Sequence, residues 1–183
     1  MLYTRKGDKG MTTIFGCDQK ISKSSAIAEA LGALDETNSF FGLCKVHKES
    51  ASLKLSAVSF SEIIQDVQQN LFIIQAEIAG SKKTIEENKI KEIEKIIDEI
   101  EKTLPLIKTF FISGGTELSA LFDIARTIAR RAERRVVEVS EEGKQKISEN
   151  SLSYLNRLSS LLYALARLTN HKSGITEQIP SYQ

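Results

Sequence analysis

Residues 116–141 read TELSALFDIARTIARRAERRVVEVSE, and this stretch decides the fold. Leu118, Leu121, Ala125, Ile128, Ala132 and Val136 recur at intervals of three and four, the spacing that lines one face of an α-helix. No Gly or Pro interrupts the run, and Thr116 has the short hydroxyl side chain that caps a helix N-terminus. The spacing predicts one long amphipathic helix reaching about Glu141.

The same period recurs on either side. Ser24 or Ser25 caps a first helix to about His47, with Ile27, Ala30, Leu31, Leu34 and Phe41 as its apolar stripe. Asp35, four residues after Leu31, falls on or beside that stripe as a half-buried carboxylate. A second helix, about Ala57 to Ala79, turns Ile63, Val67, Leu71, Ile74 and Ile78 inward and stops at Gly80. A third carries Ile90, Ile93, Ile97, Ile100 and Leu104 and ends at Pro105. Phe110-Phe111-Ile112 follows, broken by Ser113-Gly114-Gly115. After Gly143 a fifth helix holds Leu152, Leu155, Leu158, Leu162 and Leu165. Five amphipathic helices with short links predict an all-α fold, an antiparallel five-helix bundle. The opening MLYTRKGDKGMTTIFGCDQKIS has no helical period and reads as a loop or hairpin.

Composition agrees. The chain has 183 residues, which predicts one domain spanning 1–183. Gly and Pro number only 10 and 2, below their combined average of ~12%. Lys+Arg 25 against Asp+Glu 24 leaves a net charge of +1, which argues against nucleic acid as the main partner. No apolar run approaches the ~18 residues of a membrane span, and no leader precedes Tyr3, so the expected location is cytoplasmic. Cys17 and Cys44 form no CxxC, and His47 and His171 are the only histidines. Disulfide scaffolds and zinc sites of the usual spacing are excluded, and Ser-His or Cys-His hydrolases are disfavoured.

Three features point to chemistry. The loop Thr4-Arg5-Lys6-Gly7-Asp8-Lys9-Gly10-Met11-Thr12 combines exposed backbone N–H groups, cations and hydroxyls, a set suited to a polyphosphate, with Asp8 placed to hold hydrated Mg²⁺. It is not a Walker A loop, and the residues alone also fit a polar surface turn. Arg126, Arg130, Arg131, Arg134 and Arg135, with Glu133 among them, form an arginine-rich ridge. A solvated face usually interleaves Lys and Glu, whereas the guanidinium fork matches phosphate oxygens. A solvated face, anion binding and an RNA-binding module all remain open at this point. Asp35 needs a partner if buried, and Arg126 is a candidate. Asn156, on a leucine-rich helix, reads as a core amide or a polar contact.

The blocks YTRKGDKGMT, EALGALDETNSFFG, FFISGGTELS, ARTIARRAERRVV and YLNRLSSLLYALAR resemble, in order, the PduO-type ATP:cob(I)alamin adenosyltransferases. The resemblance implies a five-helix bundle assembling as a homotrimer with sites at subunit interfaces, and transfer of the 5′-deoxyadenosyl group of ATP to cobalt with release of triphosphate. It implies ATP, Mg²⁺ held mainly through the ATP phosphates, and base-off cobalamin as substrate. The implied partners are a cob(II)alamin reductase and an adenosylcobalamin-dependent acceptor enzyme, with no membrane and no nucleic acid. By motif position, Thr4 through Thr12 and Lys23 wrap ATP, making 1–23 a nucleotide loop ahead of a bundle at 24–170 and a tail at 171–183. Arg130, Arg131, Ala132, Glu133, Arg134, Arg135 and Asn156 complete that site. Asp35 and Arg126 match an ion pair across the subunit interface, and Phe110 matches the aromatic beneath cobalt. Arg130, Asp35, Arg126 and Phe110 are thus the expected catalytic set. The sequence departs from the family pattern at Ser113 (usually Pro), Ser160 (usually Asp), Met11 (often Thr) and Ser24-Ser25-Ala26. A non-catalytic ATP sensor or a cobalamin chaperone on the same bundle is the alternative activity.

Overall fold

The computed structural model describes residues 3, 5–14 and 20–182; Thr4 and Cys17 lie outside them. The fold is mostly helical. In chain order the helices are α1 (Ala26–Val46), α2 (Lys48–Ser52), α3 (Phe60–Ile78), α4 (Glu87–Glu101), α5 (Glu117–Glu141) and α6 (Glu149–Lys172). β1 (Met11–Thr13) pairs antiparallel with β2 (Lys20–Ser22), setting Thr12 opposite Ile21. β3 (Lys54–Leu55) pairs antiparallel with β4 (Val58–Ser59).

Hydroxyl caps start most of the long helices. Ser25 accepts from Ala28 N, Thr116 from Ser119 N and Ser148 from Ser151 N. Ser59 and Glu62 form a reciprocal capping box on α3, each satisfying an N–H that the first helical turn leaves unpaired. α5 packs between α1 and α6; α1 also packs on α3, and α6 on α4. Ala125, Ala129 and Ala132, all buried, keep the core face of α5 narrow. Leu34, Phe41, Leu71, Ile74, Leu155, Leu158 and Leu165 fill the space around it. Phe60 meets Phe122 edge-on at 6.2 Å between centroids.

One buried carboxylate fixes a junction. Glu77, near the end of α3, accepts from Ser148 N at 2.7 Å and from Ser151 Oγ, so it sits on the N-terminus of α6. There it meets unpaired donors and the positive end of the helix dipole.

Three expectations are corrected. The second long helix begins at Phe60, not Ala57, because 54–59 form a hairpin whose turn holds Ser56 at φ 52°. A short α2 separates it from α1, and His47 Nδ1 accepts from Glu49 N to start it. α4 ends at Glu101, short of Leu104; the Thr103 hydroxyl donates to Ile100 O at 2.8 Å and closes the turn. Asp35 is exposed, not half-buried, since Leu31 beside it is itself only partly covered.

Candidate functional site

The N-terminal loop is built by backbone geometry. Arg5 adopts φ 59° and Gly10 φ 75°, so the chain doubles back, and Lys23 N donates to Gly10 O at 2.9 Å. A Cβ on Gly7 would lie 3.1 Å from Lys23 Nζ, so glycine there lets the ammonium lie over the loop. Arg5, Asp8 and Lys9 are exposed, and the Arg5 guanidinium stacks 5.3 Å from the Tyr3 ring centroid. The result is a cationic turn anchored at both ends, with its charged tips in solvent.

Helix α5 sends its arginines in three directions. Arg131 donates to Glu36, and Arg135 bonds Glu138 at 2.9 Å and lies 3.9 Å from Glu29. These two therefore face α1, where a cavity of about 410 Å³ opens. The bond to Glu138 raises the Arg135 pKa. Glu133 accepts from Asn156 Nδ2 at 3.0 Å, which turns it toward α6. Asn156 is exposed and its Oδ1 accepts from Arg157 at 2.8 Å, so it is a surface polar contact. Ala132 faces the core. Arg130 and Arg134 are exposed and, among the described residues, make no ion pair; Arg134 Nη1 donates only to Arg130 O. Two uncompensated guanidiniums, one turn apart, are therefore free for an anion.

A cavity of about 550 Å³ opens between the 107–113 segment, α5 and α6. Phe110 stands at it, 77% exposed, beside Arg126. The Arg126 side chain is 28% exposed and lies 3.9 Å from Asp123; its Nε is buried without a hydrogen-bond partner among the described residues. A buried charged donor without a hydrogen bond is costly, and Asp123 at 3.9 Å is too far to supply one, so this nitrogen has room for an acceptor. Asp123 Oδ2 accepts from Gly114 N at 2.9 Å. Burial raises the Asp123 carboxyl above the usual carboxylate range, and the Gly114 N–H and Arg126 offset part of that rise.

Several groups here were invisible to pattern reading. Asn170 Nδ2 donates to Gly114 O at 2.8 Å, and its Oδ1 accepts from Thr116 N at 3.2 Å. Gly115 takes φ 124°, and a Cβ there would collide with Asn170, so the glycine pair and Asn170 specify each other. Arg167 and Glu177 form a pair at the back of the cavity. The one available signal was a charge and an amide inside LLYALARLTN, a run otherwise apolar enough to be core.

Asp35 is elsewhere. It lines a cavity of about 570 Å³ between β1–β2, α1 and α3, with Thr12, Ile14, Phe72 and Gln75. Among the described residues, no ion pair or hydrogen bond joins Asp35 to Arg126, or Arg5, Asp8 or Lys9 to the α5 arginines. One chain thus presents the expected residues as separate patches.

Comparison with known proteins gives these patches a common context. The corrinoid adenosyltransferase of Bacillus subtilis is 37% identical over 185 residues, covering 95% of this chain and 89% of that protein. The PduO corrinoid adenosyltransferase of Citrobacter freundii is 34% identical over 177 residues, 93% of this chain but 50% of that one, so the chain spans about half its length. A phenylalanine-to-alanine variant of a PduO-type ATP:corrinoid adenosyltransferase from Lactobacillus reuteri, complexed with cobalamin and ATP, superposes with a TM-score of 0.86 at 30% identity, covering 98% of this chain and 99% of that one. An arginine-to-lysine variant complexed with ATP gives 0.86 and 30%, covering 98% and 100%. The cobalamin adenosyltransferase family model matches residues 2–169, which takes in the loop, the arginine helix and most of the cavity lining: the chain belongs to that family.

Proposed function

We propose that this chain transfers the 5′-deoxyadenosyl group of ATP to the cobalt of cob(I)alamin, yielding adenosylcobalamin and triphosphate. The observation that carries the reading is the buried Nε of Arg126, which makes no hydrogen bond among the described residues and has Asp123 only at 3.9 Å, in the cavity that holds Phe110. That cavity is mostly apolar at its walls yet needs an acceptor at one point, which suits a large corrinoid framed by a polar anchor. The named relatives and the bound states of the structural neighbours support the same substrates.

The reaction asks little covalent chemistry of the protein. Co(I) supplies the electron pair, the Co–C5′ bond forms as the C5′–O bond breaks, and that bond pair leaves with triphosphate. No general base is needed. What the chain must supply is charge stabilisation for the leaving group, which the free guanidiniums of Arg130 and Arg134 provide, with Arg131, Arg135, Lys23 and the Arg5–Thr12 loop closing round the phosphates. Mg²⁺, when bound, neutralises phosphate charge. Among the described residues no cluster of three or more metal-ligating side chains exists, so the ion fits as one carried by the phosphates, with exposed Asp8 as an outer carboxylate. Phe110, beside the corrin, excludes water from the lower face of cobalt, which makes reduction to Co(I) easier. Alignment of cobalt with C5′ adds the proximity term.

The single domain 1–183 forms an antiparallel five-helix bundle that assembles as a homotrimer. Asp35 and Arg126 lie in different cavities of one chain, and a second copy that sets its Asp35 against Arg126 completes both the ion pair and the site. The protein acts in the cytoplasm, with a cob(II)alamin reductase upstream and an adenosylcobalamin-dependent enzyme downstream. Arg130→Ala is expected to lower kcat by about 10²–10³-fold with cobalamin affinity retained, read in anaerobic turnover assays; near-normal kcat removes Arg130 from its role.

A further inference from the structure

Phe110 makes no side-chain hydrogen bond and is largely exposed, so something else must set where its ring stands. The neighbouring backbone carries the answer. Arg167, on α6, is 4% exposed and reaches three segments at once. Its Nε and Nη2 fork onto the Glu177 carboxylate at 2.8–3.0 Å. Nη2 also donates to Pro105 O at 3.2 Å, at the start of the loop that carries Phe110. The guanidinium plane lies 5.1 Å from the centroid of Phe111, the next residue along, and 6.0 Å from that of Tyr163. Two residues further on, Ile112 N donates to Gln178 O at 2.8 Å, so the C-terminal tail is laced to the same segment from the other side. Around Phe110, then, the start of its loop, its neighbour Phe111 and the flanking backbone are all tied to one ion pair.

We infer that the Arg167–Glu177 pair is a positioning device for the adenosyl transfer, a clip that pins the tail and the 105–112 loop together so that Phe110 is held against the corrin. This rests on the proposed reaction. It assigns Arg167 and Glu177 to the catalytic cycle through Phe110, without contact to the reacting atoms. The fork geometry is central: a bidentate guanidinium–carboxylate pair fixes orientation as well as distance. Removing one charge loosens the loop without emptying the cavity.

Arg167→Ala removes a buried cation, leaves the Glu177 carboxylate without its partner and endangers folding, so Glu177→Gln, at the better exposed end of the pair, is the test variant. Amide hydrogen exchange on the full chain is expected to show Ile112 and its loop neighbours exchanging roughly tenfold faster in Glu177→Gln, with α1 unchanged. In anaerobic turnover with ATP and cobalamin, kcat is expected to fall roughly tenfold while KM for ATP holds. The electron paramagnetic resonance signal of four-coordinate Co(II) is expected to shrink in the same proportion. A Glu177→Gln protein with the wild-type cobalt spectrum and kcat overturns the inference, as does one that loses ATP binding along with turnover, since the pair would then be holding the fold. If the wild-type chain makes no adenosylcobalamin, the proposed reaction falls instead. The exchange arm separates the two failures: unchanged exchange at Ile112 removes the clip whatever the chemistry.

Discussion

Asp123 makes the stability of the fold depend on pH through a single side chain. Its carboxylate is desolvated between α5 and the Gly114 turn, and burial outweighs the help it gets from Gly114 N–H and Arg126. A carboxyl whose pKa is higher folded than unfolded binds more protons in the native state, so its contribution to stability falls as pH rises through the window above the ordinary value of ~3.9. At neutral pH the whole penalty is present. Asp123→Asn keeps an acceptor for Gly114 and sheds the charge. Thermal melts are expected to show the variant more stable than wild type at pH 7.5, with the gain shrinking toward pH 4.5. A variant less stable at pH 7.5, or a gain independent of pH, contradicts the reading. Nothing in the sequence marked Asp123, because its partners come from a turn nine residues away and from α5 itself.

The junctions between helices carry energy that helical periodicity does not reveal. Glu77 is buried yet sits on the first turn of α6, where two donors and the helix dipole receive it. Glu77→Ala leaves Ser148 N and Ser151 Oγ without their acceptor and is expected to cost about 3 kcal/mol in urea unfolding; a loss under about 0.5 kcal/mol would show that water replaces the carboxylate freely. The long helices themselves were legible. The spacing of Leu118 through Val136 gave α5, and Thr116, Ser25 and Gly80 gave boundaries that hold within a residue or two. The two-residue strands β3 and β4 and the five-residue α2 were not legible, since elements so short complete no period. Of the proposed site, the arginines and the glycine loop announce themselves by composition. Arg167, Asn170 and Glu177 do not, because their roles exist only once α6, the glycine turn and the tail are brought together.

At the scale of the whole molecule, the residues of the proposed site stand as separate patches of one chain. Asp35 and the exposed Phe72 line one cavity with β1–β2, α1 and α3, while Arg126 and Phe110 line another between the 107–113 segment, α5 and α6. Leu43, Val46, Phe72 and Ile124 also expose apolar side chains. The proposed homotrimer is the arrangement that would bring these patches together. Native mass spectrometry is expected to give three times the 20.4 kDa chain mass, and Asp35→Arg, which sets like charges together, is expected to shift the distribution toward monomer; a wild-type monomer at micromolar concentration contradicts the shared site. Purified wild-type protein, mixed anaerobically with cob(I)alamin, ATP and Mg²⁺, is followed by absorbance and by chromatography of the products. One adenosylcobalamin and one triphosphate are expected per ATP consumed; stoichiometric ATP binding with the corrinoid left unalkylated would rule out the transfer.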